Sequence, residues 1–193
     1  MVFIITWSAA LNISLFTFIL PLLWIEVQSE DFYSFEVLDI DGKSVPLETY
    51  RGKPSLVVNV ASECGYTHSH YEALSQLSQA REIKHHLNIL AFPCNQFGAQ
   101  EPGTNAEIVK FAKDTYNCNF PIFSKIDVIG QNAHPAYQYL TKNSGMLPNW
   151  NFWKYLVDQD GHVVNAWGPQ TSVHDLWNDL VSIATRRAPR EDL

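Results

Sequence analysis

Three cysteines carry most of the chemistry open to this chain, and each stands in a different setting. Cys64 lies in Ala61-Ser-Glu-Cys64-Gly65-Tyr-Thr67, three residues after the apolar, β-branched run Ser55 to Ala61 and just ahead of a predicted helix. Free backbone N–H groups and the positive end of a helix dipole favour an anion at such an address, so a thiol there is drawn toward its thiolate. Its glycine neighbour and polar surroundings suit a reactive sulfur better than a packed one. Cys94, in Phe92-Pro-Cys94-Asn95-Gln96-Phe97-Gly98, ends the next apolar run, Leu87 to Phe92. Loops leaving the carboxyl ends of neighbouring parallel strands converge, which carries this segment toward Cys64. Cys94 itself reads equally as core filler, since free cysteines are among the most buried residues, or as a resolving disulfide partner. Cys118, after a helix, reads as a loop spacer.

Uncharged donors complete the set. Gln96 can donate and accept toward a sulfur or a reacting oxygen without neutralising a thiolate. In Trp150-Asn151-Phe152-Trp153 the indole N–H of Trp150 is a donor and the Asn151 amide offers two more. This cluster reads either as core or as donors aimed at an anionic centre. His68 and His70 follow Cys64 closely, but they diverge by about 200° on a helix, and no second cysteine stands near enough to make a zinc pair. A Cys/His hydrolase lacks its third orienting group. No phosphate-cradling glycine loop is present. The expected chemistry needs neither metal nor organic cofactor.

Strands and helices in alternation must hold these residues. Phe35 to Ile40, the turn Asp41-Gly42 and Lys43 to Pro46 read as an N-terminal β-hairpin. Ser55–Ala61 and Leu87–Phe92 read as strands buried on both faces. Helices are expected from Thr67 to Ala80, from Thr104 or Asn105 through Tyr116, through Ala136 to Thr141, and from about Val173 to Arg186. A strand is expected near Ile122 to Ile126, and Trp153–Val157 with His162–Trp167 forms an antiparallel pair turning at Asp160-Gly161. Strands separated by helices, joined by that late hairpin, predict an α/β domain with a mixed central sheet flanked by helices.

The whole chain of 193 residues, 46% hydrophobic and 17% charged, is a globular composition. A net charge of −7 without a basic run speaks against nucleic acid as a partner. Val2 to Ile25 carries no charge and reads as a signal peptide ending near Val27-Gln28-Ser29, in preference to an uncleaved anchor. The ending Arg190-Glu-Asp-Leu193 is a variant of the retrieval address of the endoplasmic reticulum. Together they divide the chain into a leader over 1–29, one domain over 30–189 and a tail over 190–193, in the endoplasmic reticulum lumen or secreted.

The blocks Asn59-Val-Ala-Ser-Glu-Cys64-Gly, Leu90-Ala-Phe-Pro-Cys-Asn-Gln96-Phe-Gly, Glu101-Pro-Gly103 and Trp150-Asn-Phe152 occur in that order. In this they resemble the glutathione peroxidase family, over Phe32 to about Leu180. The resemblance implies a thioredoxin-like fold, Cys64 in the selenocysteine/cysteine position, and Gln96, Trp150 and Asn151 completing the catalytic set. The short link from Ser144 to Trp150 resembles the monomeric branch. Cys118 stands closer to Phe120-Pro121 than the resolving cysteine of thioredoxin-using members, and the cationic residues that serve glutathione in tetrameric members have no placed equivalents. The implied reaction is reduction of a hydroperoxide through a Cys64 sulfenic acid. A second thiol would resolve it: Cys94, a protein disulfide isomerase-type dithiol, or glutathione. The alternative is a redox sensor or adaptor that relays a disulfide to a bound partner without peroxide turnover.

Overall fold

Every residue of β3 (Ser55–Val60) is buried, and the strand's alternation decides what lies on each side of the sheet. Leu56, Val58 and Val60 point into one core, and Val57 points into the other. β4 (Asn88–Pro93) pairs with β3 in parallel, whereas β5 (Lys154–Val157) pairs with it antiparallel. β6 (Val163–Trp167) closes a sheet of order β4-β3-β5-β6. The mixed sheet is therefore as the sequence predicts. The structure is a computed structural model and describes residues 30–185. The leader read over 1–29 and the Arg190–Leu193 ending lie outside the described residues.

Helices cover both faces. On the first, α1 (Thr67–Gln79) contributes Tyr71, Leu74 and Leu77, α2 (Asn105–Tyr116) contributes Ala112, and α4 (Trp177–Thr185) contributes Leu180 and Ala184. On the second, α3 (Pro135–Ser144) buries Ala136, Tyr137 and Leu140 beside Phe32, Tyr33 and Val37 from the N-terminal segment. The hairpin forms as expected, though shorter, with β1 (Glu36–Leu38) against β2 (Ser44–Pro46) and Gly42 at a φ of 79° in its turn. α2 begins where expected because Thr104 and Glu107 satisfy each other's backbone N–H in a capping box.

Two expected elements differ. No strand spans Ile122 to Ile126: Ile122 and Phe123 make single bridges to Ala91 and Asp39, and the chain then turns away. Lys125 is drawn to the carbonyls of Glu101 and Gly103, each 2.7 Å away. The last helix starts at Trp177 rather than Val173, because Ser172 and Asp175 bond each other's backbone N–H in a turn before it.

Candidate functional site

Cys64 sits where β3 gives way to α1. Thr67, the first residue of α1, fastens the intervening loop from both sides. Its hydroxyl donates to the Ala61 carbonyl at 2.7 Å and accepts the Cys64 amide at 3.0 Å, and its own amide donates to the Cys64 carbonyl at 2.9 Å. Cys64 keeps 8% of its surface exposed, at the rim of the first core. Cys94 keeps none. It continues the inward row of Leu90 and Phe92 and therefore packs on the opposite side of the sheet from Cys64. Burial pushes its thiol up to about 11, and Sγ donates to Gln96 Oε1 at 3.6 Å. Cys118 lies in the first core at 4% exposure, and burial pushes its thiol up to about 12. No two of the three cysteines are joined.

The 95–101 loop reverses direction through Gly98 and Ala99, at φ values of 69° and 51°. This reversal separates the loop's two glutamines. The Gln96 amide is taken up by its neighbours: Oε1 accepts from the N–H groups of Val128 and Ile129 at 2.8 and 3.0 Å, and Nε2 donates to the Ile129 carbonyl at 2.9 Å. It fastens the 128–129 segment instead of presenting a free amide to Cys64, which differs from the sequence expectation. Gln100 takes the inner position. Its carbonyl accepts the Glu63 amide at 3.0 Å, next door to Cys64, and its Oε1 accepts from Asn151 Nδ2 at 2.9 Å. A continuous path of hydrogen bonds thus runs from residue 63 through Gln100 to Asn151.

Asn151 is fully buried and also donates to the Phe97 carbonyl at 3.3 Å. Trp150 remains 38% exposed, its ring 6.4 Å from that of Phe97. Both are held from beneath by Asn59, a buried amide inside β3. Its Nδ2 donates to the Trp150 carbonyl at 3.1 Å, its Oδ1 accepts the Trp153 amide at 2.9 Å, and its carbonyl accepts the Phe152 amide at 2.7 Å. Phe152 adopts a φ of 64°, a strained value for a bulky residue, and its ring stacks on His70 at 5.0 Å. Lys154 is fully buried, with Nζ donating to the carbonyls of Phe152 and Gly168 at 2.7 and 3.1 Å. Desolvation pulls its ammonium down to about 7; desolvation and that nearby charge bring His70 down to about 4. His70 is thus a neutral core ring, its Nε2 3.0 Å from the Pro169 carbonyl, and not a ligand or base. His68 stands on the helix surface opposite Glu72. Among the described residues no three His, Cys, Asp or Glu side chains gather to hold a metal.

Cys64, Trp150 and Asn151, singled out from the sequence, thus lie in one connected region, which also takes in Gln100, Asn59, Thr67 and Lys154, residues the sequence expectation did not include. Gln100 had a signal: it is a second amide in the same loop, just past a glycine able to turn the chain. Asn59 had one too, as a polar side chain in a strand otherwise apolar from Leu56 to Val60.

Known proteins are similar to this chain in sequence and fold. A family model described as glutathione peroxidase matches residues 32–141. Glutathione peroxidase 7 of Homo sapiens is 55% identical over 169 residues, covering 86% of this chain and 89% of that one. Among solved structures, T. cruzi GPX1 is similar at a TM-score of 0.63 and 34% identity, covering 80% of this chain and 97% of that one. A thioredoxin family thiol:disulfide interchange protein from Chlorobium tepidum is similar at a TM-score of 0.53 and 19% identity, covering 80% of this chain and 94% of that one, which extends the likeness to the thioredoxin fold alone.

Proposed function

The chain belongs to the glutathione peroxidase family, whose members are peroxidase oxidoreductases, and from that premise we propose that it reduces hydroperoxides through Cys64 and passes the oxidation to an external protein dithiol. The observation that carries the reading is the hydrogen-bonded path from Glu63 through Gln100 to Asn151, which gathers neutral amides around the loop bearing the least buried of the three thiols. The Cys64 thiolate attacks one oxygen of the peroxide, an S–O bond forms as the O–O bond breaks, and the departing oxygen leaves as water or alcohol after taking a proton. Gln100 Nε2 and the Trp150 indole orient the peroxide and donate to the charge developing on the leaving oxygen, a contribution of about 3 kcal/mol per well-placed donor, while Asn151 holds the Gln100 amide in place through its Oε1. Gln96 holds the wall behind them.

The sulfenic acid then needs a thiol. A partner thiolate attacks its sulfur and releases water; the partner's second thiolate displaces Cys64 and leaves with the disulfide. Cys94 could serve inside the chain only by leaving the core on the far side of the sheet, which favours an external dithiol of the protein disulfide isomerase type, or glutathione in its place. Residence in the endoplasmic reticulum or export rests on the leader-like segment and the Arg190–Leu193 ending, and a monomeric state rests on the short link before Trp150.

Stopped-flow peroxide consumption, followed by mass spectrometry with and without an isomerase-type dithiol, tests the proposal. Rapid consumption that disappears in Cys64→Ser, with the mixed disulfide formed at Cys64, is the expected result. Equal consumption by both proteins would remove it. Slow oxidation of Cys64 without turnover, yet with disulfide transfer to the partner, would identify a relay in its place. A Cys64–Cys94 bond forming first would move the second step inside the chain.

A further inference from the structure

Directly below the Cys64 loop lies an acid that the reaction above does not use. Glu101 follows Gln100 and is fully buried, although loop carboxylates ordinarily reach solvent. Its backbone is tied on both sides: the amide donates to Asn95 Oδ1 at 2.8 Å, and the carbonyl accepts from Lys125 Nζ at 2.7 Å. Its carboxyl is not. Neither oxygen makes a well-formed hydrogen bond among the described residues, nor do two buried hydroxyls, Ser62 Oγ and Tyr71 Oη, although the Ser62 hydroxyl and amide lie near enough to the carboxyl to draw on it.

The ionisable and polar neighbours come from four directions. Ser62 and Glu63 approach from the loop that carries Cys64, Tyr71 from α1, Cys94 from the end of β4, and Lys125 from the stretch before α3. Lys125 is the only cation among them, and its hydrogen bonds go to the backbone carbonyls of Glu101 and Gly103, not to the carboxylate. A buried anion without a paired cation is costly. A protonated carboxyl is a donor with acceptor capacity to spare, which suits two hydroxyls that each need a partner.

We propose that Glu101 is a positioning residue that holds the Ser62–Cys64 segment against the Gln100 loop while it carries a proton, and that releasing the proton slackens the site. The inference rests on Cys64 being the peroxide-reactive sulfur. Burial pushes the Glu101 carboxyl from 4.5 up to about 7, against the weaker opposing pull of Ser62 and Lys125. The change therefore falls within the range of cellular pH. Below it the segment is fixed; above it an unpaired charge forms beneath Ser62, and the hydroxyls of Ser62 and Tyr71 turn to meet it.

The test compares the wild type with Glu101→Gln, which keeps the shape and cannot ionise, by measuring the rate of Cys64 oxidation by hydrogen peroxide. Taking the ratio of the two rates at each pH cancels the ionisation of Cys64 common to both proteins. The ratio of wild type to variant is expected near one at about pH 6, falling about threefold or more by about pH 8.5. Infrared difference spectra of the wild type should show a protonated-carboxyl C=O band that disappears with a midpoint near 7 and is missing from the variant. Ser62→Ala, which removes a hydroxyl that eases the anion, should move that midpoint upward. A flat ratio, or no such band in the wild type, overturns the proposal. If Glu101→Gln does not fold, the band and its shift in Ser62→Ala still decide. Absence of any peroxide reaction in the wild type at every pH would instead defeat the peroxidase reading, while the infrared titration would still report on Glu101.

Discussion

Cys64 and Cys94 follow neighbouring parallel strands, β3 and β4, yet they end on opposite sides of the sheet with opposite prospects. Cys94 extends the inward row of its strand by two residues and meets Phe92 and Tyr137 in a closed core. Cys64 comes four residues after Val60, in a loop that Thr67 pulls into the start of α1, and it stays at the rim. The lesson is that a cysteine's character here is set by how far past the strand it lies. A thiol still obeying the strand's alternation is packed, and one beyond it belongs to the loop.

The largest test of this contrast is removal of each sulfur in turn. Cys64→Ser should lower the rate of peroxide consumption by at least about a thousandfold, because the hydroxyl is not ionised at neutral pH. Cys94→Ser should leave the first oxidation of Cys64 by peroxide unchanged in stopped-flow measurements and register as a lowered Tm. Equal losses in both would break the contrast.

The two glutamines of the 95–101 loop sharpen it. Gln100→Ala removes a donor on the Cys64 side and should slow peroxide reduction by about a hundredfold. Gln96→Ala should cost only a few-fold, while freeing the 128–129 segment to faster amide hydrogen exchange. The reverse order would return the donor role to Gln96.

Asn59→Ala tests whether the sheet itself fixes Trp150 and Asn151. It strands the Trp153 amide and the Trp150 carbonyl, and a loss of about 2 kcal/mol in denaturant unfolding is expected. The smallest effect concerns Lys154. Its folded-state pKa of about 7 lies below its ordinary 10.5, so the unfolded chain binds the extra proton between those values. The penalty is full below pH 7 and is relieved as pH rises toward 10.5. The Lys154→Met variant should therefore lack a gain of about 1 kcal/mol or more that the wild type shows over that window. Matching slopes would show that Lys154 is not the buried base described.

Much of this was legible in the residues. The capping box of Thr104 and Glu107 announces α2, and the β-branched run of β3 announces a strand covered on both faces. Cys64, Trp150 and Asn151 stand out in the sequence because their motifs are local. The choice between Gln96 and Gln100 was not legible in the same way. It turns on Ala99 adopting a left-handed backbone that its sequence does not demand, and on the 128–129 segment arriving to occupy the first amide. The strand expected at Ile122–Ile126 failed for a similar reason. Its apolar residues suit an edge, but Lys125 is drawn to distant carbonyls that no short window contains.

Asn59 makes residues 150–153 behave as an extra rung of the sheet instead of a loop draped over it. A tightly bolted rim of that kind has little room to mould itself around visitors. Small oxidants of different lengths should be received in much the same way, and whatever adjustment a macromolecular thiol donor requires must come from the donor's own flexibility.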